Sequence, residues 1–244
     1  MLSRRTAVLA GAIVVVILAA VIAVALAPRP EPFAAPTPGP TYAPPATPPA
    51  IEAKPASSSI TDLVTTDWLI ATATRTGIPV RALAAYAGAA VEKAKRMPTC
   101  GISWNTLAAI GWVESKHGSF HGSTIAPDGE VSPPIYGIAL DGSSSAHIPD
   151  SDKGKFDGDK KDDRAIGPMQ MIPQTWRNWR TDASADGKRD PQNIDDEVMA
   201  AANYLCRASP DMVGVVGWKR GIASYNSAPS YLIRVARAAI DYAG

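Results

Sequence analysis

In "GWVESKHG", residues 111–118, a carboxylate closes an apolar pattern: Leu107, Ile110, Gly111 and Glu114 recur at the spacing of one helix face. At about 100° per residue the four fall in one narrow sector of a helix that begins near Trp104, so Glu114 belongs to the core-facing stripe. A carboxylate in that position either meets a base, such as Arg164 or Arg220, or stays partly desolvated. Desolvation raises its pKa until it holds a proton near neutral pH. A protonated carboxyl at the edge of a groove can protonate a leaving oxygen, as scission of a glycosidic bond requires. The helix alone does not choose between the paired and the desolvated carboxylate.

Two further stretches carry polar groups in apolar company. In "AIGPMQMIPQTW", residues 165–176, a tight turn presents Gln170 between Met169, Met171 and Ile172, ahead of a short helix opened by Pro173. An amide there can both donate to and accept from the hydroxyl or N-acetyl groups of a sugar, or it is an ordinary glutamine satisfied by backbone. In "ASYNSAPSY", residues 223–231, Tyr225 and Asn226 fall on the loop before a last helix opened by Pro229, where they could close a groove or serve as a capping cluster. The acidic stretch 150–164, "DSDKGKFDGDKKDDR", offers Asp163 as a second acid, although such a charge run reads first as a solvated loop.

A metal reading arises at "DASADGKRDPQNID". Counting from Asp182, oxygen side chains stand at positions 1, 3 and 5 (Asp182, Ser184 and Asp186) with glycine at 6, as in a calcium-binding helix–loop–helix turn. Asn193 replaces the glutamate expected at position 12, so a degenerate structural loop competes with a calcium site.

These residues need a scaffold, and the pattern around them is helical. Val80, Leu83, Ala84, Ala87, Val91 and Ala94 share a face after a break in which Gly77 ends one helix and Pro79 opens the next. Ser103 is placed to cap the helix of Glu114. Asn193 is placed to cap another, with Asp195, Asp196 and Glu197 in its first turn and Ile194, Val198, Ala201, Ala202 and Leu205 inward. Leu232, Val235, Ala236 and Ala239 form the inner face of the last helix. Residues 118–166 show no sustained period, which marks a binding loop with room for a small β element at "PPIYGIAL". The expectation is a mainly α domain over residues 60–244.

The N-terminal quarter is of another kind. Residues 7–27 are uncharged and apolar, long enough at 1.5 Å per residue to span a bilayer core of about 30 Å, and Arg4 and Arg5 precede them within a short cytoplasmic segment 1–6. A transmembrane anchor with the rest of the chain exported is favoured. The alternative is a cleaved signal peptide and a secreted domain, but the run exceeds the usual ~7–15-residue signal core. Residues 28–59 hold half of the chain's 22 prolines and read as an extended linker, a stalk of up to about 100 Å. Cys100 and Cys206, the only cysteines, read as one disulfide in an exported domain. With 24 basic against 23 acidic residues, nothing in the overall charge points to nucleic acid.

Taken together, "CGISWNTLAAIGWVESKHG", "DRAIGPMQMIPQTW", "DPQNIDDEVMAAANYLC" and "SYNSAPSYLIRVA" resemble the membrane-bound lytic murein transglycosylases of the B type, in particular exported actinobacterial forms. The resemblance implies a lysozyme-like, mainly helical fold and peptidoglycan glycan strands as substrate. It carries the catalytic acid onto Glu114, the saccharide-contacting glutamine onto Gln170, and the groove tyrosine and asparagine onto Tyr225 and Asn226. It also implies a reaction with one carboxyl group, no water and no required cofactor, ending in 1,6-anhydromuramoyl products; calcium is the one candidate ion. A muramidase that uses water, or a glycan-binding scaffold without catalysis, are the alternative readings.

Overall fold

The protein is described here by a computed structural model that covers residues 39–143 and 146–244. The apolar run 7–27, the segment 1–6 and residues 28–38 of the linker lie outside the described residues. Among those that are described, no helix is long and apolar enough to cross a membrane.

Among the described residues seven α-helices and two small antiparallel sheets follow one another: α1 (Thr66–Thr76), α2 (Val80–Arg96), α3 (Trp104–Ser115), β1 (Thr124–Ile125), β2 (Val131–Ser132), β3 (Tyr136–Ala139), β4 (Arg164–Ile166), α4 (Pro173–Trp179), α5 (Ile194–Ala208), α6 (Val215–Tyr225) and α7 (Pro229–Ala243). Their ends obey local chemistry. Gly77 takes the left-handed conformation that ends α1 (φ 72°), and Pro173 and Pro229 open α4 and α7. Asn193 caps α5, its Oδ1 accepting the N–H of Asp195 at 3.0 Å. Ser103 occupies the cap position of α3 without a capping bond.

α3 is the central element. Every residue from Trp104 to Gly111 is buried, so the helix is wrapped by its neighbours α2 and α7 and is more than the one-faced helix its stripe suggests. A helix covered on all sides leaves its last turn as the place where a polar group can reach the surface, and that turn carries Glu114. The disulfide joins Cys100, just before α3, to Cys206 in α5, as the sequence predicts.

The β region departs from expectation. "PPIYGIAL" supplies one strand, β3, and its partner is β4, with Tyr136 opposite Ile166 and Ala139 opposite Arg164. The intervening acidic loop is organised by its own carboxylates. Asp150 accepts the N–H groups of Asp152, Lys153 and Gly154, and Asp157 accepts those of Asp159 and Arg164, so short side chains satisfy backbone donors that no ladder reaches.

The linker expectation needs correction for residues 39–59, which lie against the helical unit as a strap. The unit extends from Gly39 to Gly244. Ala43 and Ala46 are buried, and Ile51 bridges Val64, with Glu52 donating to the Leu63 carbonyl and Thr65 to that of Ala50 (2.9 Å each). Proline richness prevents internal structure in this strap but not pairing with partners outside it. Its main fastening is Asn105, fully buried in α3, whose Oδ1 accepts the N–H of Ala46 (3.1 Å) while its Nδ2 donates to the carbonyls of Pro44 (3.1 Å) and Ala239 (2.9 Å). Asn105→Ala strands three buried backbone groups and is expected to destabilise the domain by on the order of 3 kcal/mol. Denaturant unfolding measures this, and faster amide exchange at Ala46 should accompany it.

Candidate active site

Glu114 sits in the last turn of α3, half-buried. Its Oε1 accepts the Tyr231 hydroxyl at 2.5 Å, a short bond to the first turn of α7. Burial pushes the carboxyl up to about 7; the Tyr231 hydroxyl and the Arg234 guanidinium pull the other way without cancelling it. The free carbonyls at the helix end also disfavour a negative charge there. The paired-base alternative does not hold: Arg164 is engaged with Asp159 at 3.0 Å, and Arg220 is exposed.

The chain behind Glu114 is held rigidly. Lys116, His117 and Gly118 all take positive φ (52°, 59° and 77°), a reversal that closes α3. His117 is buried between two hydroxyls, with Nδ1 3.1 Å from Tyr86 and Nε2 3.0 Å from Tyr242. Burial pushes its pKa down to about 4, so it is a neutral bracket from α3 to α2 and α7. Ser115, also buried, donates to the Pro168 carbonyl at 2.6 Å and accepts the N–H of Gly118 at 2.8 Å. That bond ties the end of the Glu114 helix to the turn that carries Gln170.

Gln170 is brought to a groove of about 190 Å³ lined also by Met171, Tyr204 and Tyr225. Its backbone is left-handed (φ 52°), a conformation that costs a non-glycine residue and persists where surroundings enforce it. Its Nε2 donates to the Gly167 carbonyl at 2.9 Å, which fixes the amide plane. The amide oxygen faces Gly137 of β3, where an added Cβ would approach it to 2.9 Å. The enforcing group is Glu197. Completely buried in α5, it accepts the N–H of Met169 at 2.6 Å and of Met171 at 3.4 Å, bracketing Gln170 from below. Burial pushes this carboxyl well up, against the two N–H donors, and the charge of Glu114 adds to the rise. Gly167 (φ 72°) has no room for a side chain, because its Cβ would strike the Pro191 carbonyl and Glu197.

Tyr225 reaches the same groove, but from the last residue of α6; the loop expected there is a helix end. Its hydroxyl donates to the Met169 carbonyl at 2.7 Å, and burial above all, with the charge of Glu114 second, pushes its pKa well up. Asn226 is exposed, and its Oδ1 accepts the N–H of Ala228 at 3.0 Å. It shapes the corner between α6 and α7, which is the capping role.

Asp163 is buried, with its carboxylate accepting the N–H (2.9 Å) and hydroxyl (2.8 Å) of Ser151. Its carboxylate neighbours are Asp150 and Asp152, the one group of three acids with oxygens close enough to share an ion among the described residues. At the loop read as either a degenerate turn or a calcium site, Asp182 accepts the N–H groups of Asp186 (3.2 Å) and Gly187 (3.0 Å), and Ser184 lies 3.4 Å from it. Asp196 accepts three more N–H groups, those of Ala183, Ser184 and Asp190. The carboxylates of this loop are thus turned to backbone donors.

Sequence reasoning reaches Glu114, Gln170 and Tyr225 but misses Tyr231, Glu197 and His117 as their supports. Glu197 carries a usable signal, a third acid in a helix first turn at an inward-facing position. Tyr231 carries none beyond its place in the quoted motif. No protein family, curated protein or solved structure matches this chain.

Proposed function

We propose that the protein is a peptidoglycan lytic transglycosylase in which Glu114 is both the proton donor and the proton acceptor. The observation that carries this reading is a half-buried carboxyl, poised near 7 and pinned by Tyr231, at a helix end that Ser115 ties to the turn whose glutamine amide lines a groove. In the reaction, Glu114 gives its proton to the oxygen between N-acetylmuramic acid and N-acetylglucosamine as the C1–O bond breaks. The resulting carboxylate takes the proton of the muramoyl 6-hydroxyl, whose oxygen bonds to C1. No atom is gained from water, the product ends in a 1,6-anhydro ring, and Glu114 is again protonated.

A hydrolase or retaining glycosidase would use a second carboxylate. The two carboxylates offered by the structure are otherwise engaged: Asp163 by Ser151, and Glu197 by backbone N–H groups below the Gln170 turn. This supports the one-carboxyl route over the muramidase reading. A pure binding module would gain nothing from a desolvated acid. The substrate side of the reading places the domain outside the cytoplasmic membrane, on the anchor expected from residues 7–27.

Digestion of purified sacculi followed by mass analysis tests the proposal. Anhydromuramoyl ends are expected; reducing muramic acid ends alone would replace it with hydrolysis, and uncleaved sacculi would remove the enzyme reading. Because the cycle starts from the protonated acid, kcat/KM should fall as pH rises through about 7, approaching a tenfold loss per pH unit above it.

A further inference from the structure

Next to Glu114, on the outer side of the α3–α7 contact, lies a second concavity of about 280 Å³. We propose that this pocket, walled by Trp112, Lys116, Arg234 and Arg237, seats a carboxylate of the peptide branch that the glycan carries. The proposal rests on the preceding reading of the substrate as peptidoglycan.

The pocket shares both of its elements with the carboxyl. Trp112 lies in the last turn of α3 and Lys116 just past its end, two residues to either side of Glu114, and Arg234 stands one turn beyond Tyr231 on α7. Its cations outnumber its acids. Three cations face it and a single acid, Asp241, lines it. The ion pairs among the described residues all lie elsewhere and include none of the three. In a chain of formal net charge +1, three cations around one hollow, of which Arg234 also acts on Glu114, are a local field that attracts an anion.

The cations are also placed. Lys116 holds its ammonium 4.4 Å from the centre of the Trp112 ring, and Arg234 its guanidinium 5.9 Å from that of Tyr231. Stacking on a ring positions a cation without neutralising it. Lys116 gains its place at the rim through a left-handed backbone (φ 52°). Trp112 is 42% exposed, an apolar wall of the kind that short aliphatic peptide side chains cover. Three cations are too few for a nucleic-acid track, and where the lactyl carboxyl of the muramoyl residue is tied up as an amide with the peptide, the anion must come from the branch. The arginines suit a carboxylate because the guanidinium meets it with two parallel N–H donors.

The test uses full-length Glu114→Gln protein, which keeps binding separate from cleavage, and sacculi freed of phosphate polymers. Co-sedimentation is compared for intact sacculi and for sacculi whose peptide carboxylates have been converted to amides with carbodiimide and ammonia, which keeps the cross-links and frees no lactyl carboxylate. Intact sacculi should bind about 5-fold more tightly, as two or three exposed charge pairs allow, with the difference erased by high salt. Adding Lys116→Gln and Arg237→Gln should bring the ratio to one while the melting temperature stays unchanged. Equal binding of intact and amidated sacculi, or a double variant that keeps the full preference, overturns the proposal. So does a preference that appears only when the phosphate polymers are left on. Wild-type protein that binds with this preference yet cleaves neither preparation would instead sink the transglycosylase reading and leave the pocket standing.

Discussion

Glu114→Gln should lower turnover on purified peptidoglycan by about 10²–10⁴, the range for losing a general acid or base. The amide keeps the shape of the side chain and can still accept the Tyr231 hydroxyl, but it cannot pass a proton to the leaving oxygen. The same substitution should stabilise the fold. The native carboxyl, raised to about 7 from an ordinary value near 4.5, contributes fully below the unfolded pKa, and that contribution is lost as pH rises through about 7. A neutral amide does not ionise, so the variant's advantage should be absent near pH 4, grow between pH 5 and 7, and level off above that at on the order of 2 kcal/mol. Melting curves over this range, paired with product release from sacculi, check both halves. A variant that cleaves at the wild-type rate would remove Glu114 from the chemistry. One that is inactive but no more stable at pH 8 would mean that the carboxyl is not desolvated in the native state.

Breaking the disulfide is the second large effect expected. Cys100 and Cys206 are buried and lie 106 positions apart, and closing a loop of that size in the unfolded chain is worth about 4–5 kcal/mol on the chain-entropy account. Domains of this kind hold only about 5–15 kcal/mol in total. Reduction, or Cys100→Ser with Cys206→Ser, should therefore shift the denaturant midpoint far down and leave a fold that melts near physiological temperature. Equal midpoints with and without reductant would show that the bridge adds nothing. The bond joins the ends of two helices that lie away from the site: the approach to α3, whose last turn bears Glu114, and the last turn of α5, whose first turn bears Glu197.

What the sequence could reveal followed from period and local chemistry. The helices at Val80, Trp104, Ile194 and Pro229 announce themselves by apolar spacing and by their end residues, and Asn193 caps where its type predicts. The apolar run around Glu114 likewise signals a carboxyl in poor contact with water. Long-range choices were not legible. Residues 39–59 look like a stalk because prolines forbid internal pairing, yet their partners are Asn105, Trp104 and Leu63. α6 ends at Tyr225, where turn-forming residues suggested a loop, because the helix continues through "SY" before Asn226 breaks it. Of the site, the residues that meet the groove were readable, whereas Tyr231 and Glu197 act through contacts 117 and 28 positions away that no local pattern encodes.

The acidic loop exposes Lys153, Lys155, Lys160 and Lys161 to any trypsin-like protease in the surroundings. A cut at any of them falls between the two cysteines, and the bond joining Cys100 to Cys206 spans it. The severed halves, one bearing Glu114 and the other Gln170, Glu197 and Tyr231, would stay a single covalent molecule, held further by the burial of α3 between α2 and α7. Nicking in this loop should therefore show as two bands only after reduction. This geometry lets a clipped copy remain assembled.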